Sequence, residues 1–116
     1  MTTITNTELY TLVGEELGIV DGNEALSADD ADRISRRASK VRAWLIEEGK
    51  CYWADDAIPE AAALPLAMII AGRVAPQYGR GEESSFPYVD AARGYQLLSE
   101  HVSKRSAREP VRSEFF

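Results

Sequence analysis

Apolar residues recur along this chain at helical spacing in four stretches, divided by segments in which glycine, proline and acids collect. Thr5 and Glu8 stand at the spacing of a capping box, which predicts a first helix starting near Thr5. Leu9, Leu12, Val13 and Leu17 then form one apolar stripe, and Gly18 is placed to end the helix in the left-handed conformation. Ile19 to Leu26 reads as a loop. Ser27 is set to cap a second helix with Asp29 and Asp30 in its first turn, where carboxylates meet the positive end of the helix dipole. Its buried line is Ile34, Ala38, Val41 and Leu45, with Trp44 beside it, and Gly49 stops it.

Lys50 to Pro59 breaks the helical period. Cys51-Tyr52-Trp53 favours extended backbone and Asp55-Asp56 a turn, so a short extended segment or loop is expected, with its aromatics on the core or an interface. The third helix spans about Pro59 to Tyr78. Leu64, Leu66, Met68, Ile69 and Ile70 make it apolar nearly all round, as in a central buried helix, and its alanines permit close neighbours. Pro65 should start its regular part or bend it, and Pro76 should bend or end it. Arg80 to Pro87 is a polar loop, from which Ser84 or Ser85 caps a last helix running to about Ser106. Tyr88, Ala91, Ala92, Tyr95, Leu98 and Val102 face inward on it. Ala107 to Phe116 has no helical period and contains Pro110. The reading is an all-α protein: a small bundle of about four helices around a central apolar helix, as a body over 1–106, with an extended tail over 107–116.

Charge changes this picture more than composition does. The net charge of −6 is a sum over a gradient. Met1 to Asp32 holds eight acids and no Lys or Arg, whereas Lys104 to Phe116 holds four bases against two acids. Between them the second helix carries Arg33, Arg36, Arg37, Lys40 and Arg42 opposite its apolar line. An acidic body disfavours general nucleic-acid binding, which depends on neutralising phosphates. Acids such as Glu8 and Glu15 on the first helix and bases on the second suit charge pairing between identical neighbours in a ring. The basic tail suits contact with something acidic. A tail that orders on binding loses about 1–2 kcal/mol of backbone entropy per residue, and Phe115 and Phe116 could return roughly 2 kcal/mol each on burial.

Length and composition set the outer limits. At 116 residues, 45% hydrophobic and 28% charged, the chain fits one domain with its own core. The N-terminus lacks the basic start and apolar run of a signal peptide, and the most apolar stretch, Ala61 to Gly72, is shorter than the roughly 20 residues of a membrane span. A cytoplasmic, soluble protein with no membrane contact is expected.

Catalytic chemistry has few candidates. Cys51 and His101 are the only cysteine and histidine, which excludes a four-ligand zinc site of those residues and an internal disulfide. Glu47-Glu48 and Asp55-Asp56 flank the aromatic Tyr52-Trp53, an arrangement glycan hydrolases use. Adjacent helical residues point about 100° apart, however, so Glu47 and Glu48 cannot both face one ligand. They read as a solvated helix end, and the aspartates as a turn. His101 reads as a surface or packing residue, Cys51 as a small buried apolar one, and Gly79 and Gly81 lack phosphate-loop spacing. No catalytic residue, cofactor or metal is expected, and the chain is not expected to be an enzyme.

The order of these marks resembles the head-to-tail adaptor, or tail accessory factor, proteins of short-tailed phages, relatives of the head-completion and connector proteins. The likeness spans nearly the whole chain: Leu17-Gly18 closing the first helix, Ser27 opening a long one, Trp44 to Gly49, Tyr52 with Asp55-Asp56 and Ile58-Pro59, and Arg73-Val74-Ala75-Pro76-Gln77-Tyr78 before the Ala91-Ala92-Tyr95 helix and the basic tail. The resemblance implies a virion structural protein assembled in the host cytoplasm. It would sit in the neck as a homo-oligomeric ring, usually of twelve, beneath the portal protein at the DNA exit vertex, where it carries the tail or nozzle protein. DNA would only pass through the channel. It also implies portal contact by Lys104, Arg105, Arg108, Pro110, Arg112, Phe115 and Phe116, although the paired Phe115 and Phe116 depart from the family's pattern. Subunit contacts would fall to Arg33, Arg36, Arg37 and Lys40 against Glu8 and Glu15. The alternative is a small helical regulatory or DNA-contacting protein that uses the Arg face of the second helix.

Overall fold

The first helix, α1 (Asn6–Leu17), starts where its capping box dictates: the Thr5 hydroxyl accepts the Glu8 N–H, and the Glu8 carboxylate accepts the Thr5 N–H at 2.9 Å. The computed structural model describes residues 2–20, 24–78 and 86–108. Gly18 ends α1 at φ 75°, and Gly49 closes the second helix at φ 74°. At both ends the next residue donates back across the last turn, Ile19 to the Gly14 carbonyl and Lys50 to the Leu45 carbonyl. Only glycine takes that left-handed turn without a Cβ penalty.

Helix α2 (Ala28–Glu47) has Ser27 as its cap, accepting from the Asp30 N–H, and buries Ile34, Ala38, Val41 and Leu45 as the apolar line requires. The chain then turns through residues 50–57. Two residues on each side, β1 (Thr3–Ile4) and β2 (Ile58–Pro59), pair antiparallel with Ile4 opposite Ile58. This bridge was not anticipated. It lashes the N-terminus to the start of α3 (Glu60–Val74), and the Glu60 N–H adds a bond to the Thr2 carbonyl.

α3 is the centre of the fold and packs against α1, α2 and α4 (Phe86–Arg108). Leu66, Met68, Ile69 and Ile70 are buried, as expected, but Leu64 is 52% exposed. Leu64 falls with Glu60 and Ala61 on a strip of the helix that no described neighbour covers. Pro65 does not start the helix, which runs through it from Glu60. Its missing N–H forgoes one intrahelical bond, and its ring is buried. Pro76 acts as expected: the helix gives way to a 3-10 turn over Ala75–Tyr78.

On α4, Leu98 is fully buried and Ala91, Tyr95 and Val102 are half-buried, but Ala92 faces solvent. The inward line passes instead through Gly94. A Cβ there would lie 2.7 Å from the Pro65 carbonyl oxygen and 2.8 Å from the Met68 Cβ. The missing side chain sets how closely α4 approaches α3. Helix α4 continues to Arg108, two residues past its expected end, so Ala107 and Arg108, expected in the extended tail, stand on helix. Ser84, Ser85, Pro110, Arg112, Phe115 and Phe116 lie outside the described residues, and of the Tyr88 and Arg108 side chains nothing is described. The fold is all-α, with the two-residue bridge as its one piece of sheet among the described residues.

Candidate functional site

Arg33, Arg36, Arg37 and Lys40 follow one another at three- and four-residue steps and therefore share one face of α2. Together with Asp29, Asp32 and Gln77 they line an open cleft of about 430 Å³. The face is partly neutralised from within: Arg36 pairs with Asp32 at 2.8 Å, and Arg33 lies 3.8 Å from Asp30. Arg33 also lies over the Tyr78 ring, whose hydroxyl donates to Asp30 at 2.5 Å. That bond holds the Asp30 carboxyl below its usual range, while burial and the same bond push the Tyr78 hydroxyl up. Arg37 and Lys40 enter no ion pair with a described residue, and they are the free cations of the cleft.

Arg42 does not belong to this face. It lies on the stripe of Ser35, Ala38, Ser39 and Leu45, half-buried, with its Nη2 donating to the Trp53 carbonyl at 3.1 Å. The four-residue step from Ala38, a buried position, was the signal in the sequence that separates it from the other bases. Glu8, expected at a subunit contact, spends its carboxylate on the α1 cap. Glu15 is exposed. Beside it, burial pushes the Glu16 carboxyl up, with the charges of Asp90 on α4 and of Glu15 adding to the shift. Asp90 stands far from Glu16 along the chain, so the sequence carried no signal of that influence.

The acids near the aromatics have structural partners. Asp56 accepts the Asn6 backbone N–H at 2.7 Å and Asp55 the Asn6 side-chain amide at 3.2 Å, so this turn caps α1 from 50 residues away. Asp56 holds φ 65° to do so. Glu48 accepts the Tyr95 hydroxyl at 3.1 Å, and Tyr95 stacks on Trp44, over which Arg73 lies. His101 Nε2 and the Tyr52 hydroxyl share a hydrogen bond of 2.8 Å, and Arg105 lies 3.9 Å over the Tyr52 ring. Trp53, edge-on to Tyr52, is buried in the core. The Cys51 thiol is half-buried, and burial pushes its pKa up, so it stays protonated. Among the described residues no group of three or more His, Cys, Asp or Glu could hold a metal ion, and no helix is long and apolar enough to cross a membrane.

A second cavity, of about 360 Å³, opens between α1, α2 and the 51–58 segment and is floored by α3. Its apolar wall includes Leu9, Leu45, Trp53 and Ile70, and its polar groups include Tyr10 and Arg42. Sequence reasoning missed it, because its walls come from four separate segments. No protein-family model matches the chain, and no curated protein or solved structure matches it.

Proposed function

We propose that the chain is a virion structural protein: a head-to-tail adaptor that joins copies of itself in a ring beneath a phage portal and carries the tail. Its role is assembly rather than catalysis. The observation that carries the reading is the separation of unlike charge. Arg37 and Lys40 have no described ion-pair partner, while α1 carries the exposed Glu15 next to Glu16, whose carboxyl is raised by burial and by the charges of Asp90 and Glu15. Two unlike patches on one chain favour a heterologous contact, and heterologous contacts close into rings when the rotation permits. The order of sequence marks shared with the adaptors supplies the phage context, and the basic 104–116 segment the portal contact.

The test mixes the protein with isolated portal rings and reads sedimentation. Binding in stoichiometric rings is expected, with electron microscopy counting the copies. Arg37→Glu with Lys40→Glu should abolish ring formation, and adding Glu15→Lys with Glu16→Lys to the same chain should restore it. Failure of that restoration removes the charge-paired ring. A DNA mobility shift that falls steeply with salt, without portal binding, favours the DNA-contacting alternative.

A further inference from the structure

The cavity between α1, α2 and the 51–58 segment is unused by the assembly reading, and its chemistry is specific. One side of it is apolar, and the other carries charged groups: Arg36 and Arg42, with Asp55 and Asp56. The Arg42 guanidinium is half-buried, and its one hydrogen bond to a described residue goes to a neutral acceptor, the Trp53 carbonyl. No described carboxylate lies within ion-pair distance of it. The nearest acids by position, Asp55 and Asp56, are turned to Asn6. The Arg42 Nε, however, is buried and has no hydrogen-bond partner, and a buried donor left without an acceptor is unfavourable in a way that a bound carboxylate relieves. Asp55 and Asp56 also line the cavity, each engaged by Asn6, and burial together with their charges keeps the Tyr10 hydroxyl protonated as a donor, while the Cys51 thiol is given to the Trp53 carbonyl. The volume lies in the range of small-ligand sites.

We propose that this cavity binds a small carboxylate with an apolar or aromatic body. The carboxylate sits against Arg42, and the body lies on Leu9, Leu45, Trp53 and Ile70. Two sources offer that chemistry: a free aromatic acid, and an acidic-aromatic peptide such as Glu114-Phe115 of this chain. Arg36, a subunit contact in the assembly reading, also lines the cavity, but the proposal does not rest on that reading.

The experiment titrates the full chain with 3-phenylpropionate and with the neutral 3-phenylpropanol, following Trp53 by tryptophan fluorescence and by its indole N–H resonance. Saturable binding is expected, with the carboxylate favoured by about tenfold, the effect of one charge-assisted hydrogen bond. Arg42→Met should erase the preference. Ser39→Phe, at the mouth and away from the Arg42–Trp53 bond, should block both probes even if the Arg42 variant fails to fold. No saturable binding, equal affinity for the two probes, or unchanged binding to the Ser39 variant overturns the proposal. Phe115→Ser separates the sources: tighter probe binding means that the chain's own segment competes for the cavity, and unchanged binding means an external acid. Sedimentation with portal rings reports on the assembly reading separately.

Discussion

The two flanks of α3 are built in opposite ways. On one side α4 lies against it nearly backbone to backbone, with Gly94 over the Pro65 carbonyl and Leu98 filling the seam. On the other side α1 and α2 approach through side chains and stand apart, leaving the Arg42 cavity between them. The difference teaches where chemistry can collect in a bundle this small. A seam closed by a glycine leaves no room for a polar group or a ligand. A seam held open by side chains admits a guanidinium, a tyrosine and a cavity.

The comparison breaks most directly at Leu98. Leu98→Ala removes the one fully buried side chain described on α4, and a loss of about 2–5 kcal/mol in denaturant unfolding is expected. Gly94→Ala comes next: the new Cβ meets a backbone oxygen that cannot move alone, so α4 must shift at about 1–3 kcal/mol. If Gly94→Ala is neutral in thermal melting, the tight seam is not real.

On the open flank the effects shrink. Tyr78→Phe removes the hydroxyl that Asp30 accepts, and about 1 kcal/mol is expected near neutral pH. The Asp30 carboxyl is lowered on folding, by the Tyr78 bond first. Its contribution is therefore present above the unfolded pKa, about 4, and is lost as the pH falls through the lower folded value. Wild type and Tyr78→Phe should thus begin to converge below about pH 4 and meet only once the pH is under the lower folded value. The smallest effect is Gly14→Ala on α1. Its Cβ would meet the Leu26 side-chain end at 2.7 Å, a group that can swing away, and helix propensity returns up to about 1 kcal/mol. A net change within about 0.5 kcal/mol is expected. An effect as large as that of Gly94→Ala would erase the distinction between the flanks.

The helix ends and the faces that follow from 3.6-residue spacing were legible in the sequence. Thr5, Gly18, Ser27 and Gly49 act within a turn of their own positions, so their local chemistry settles them. The Ile34, Ala38, Val41 and Leu45 line was equally plain. The candidate sites were only half legible. Arg33, Arg36, Arg37 and Lys40 share their face as the spacing requires. Arg42 was grouped with them by charge, although its spacing puts it with Ala38 and Leu45. Ala92 and Leu64 were assigned to the interior because they are apolar, yet exposure depends on which neighbour arrives.

By itself, then, the sequence determined an all-α chain, the caps and glycine stops of α1 and α2 and the central place of α3, because capping and periodicity are short-range. Only the tertiary structure decided that Asp56 caps α1 from 50 residues away while Asp55 holds the Asn6 side chain, that Tyr52 meets His101, and that four segments enclose a cavity around Arg42. Those contacts join residues whose separation along the chain carries no periodic signal. Packing of the helices about α3 brings them together, and the distance between helices, set by residues such as Gly94, decides which of them touch.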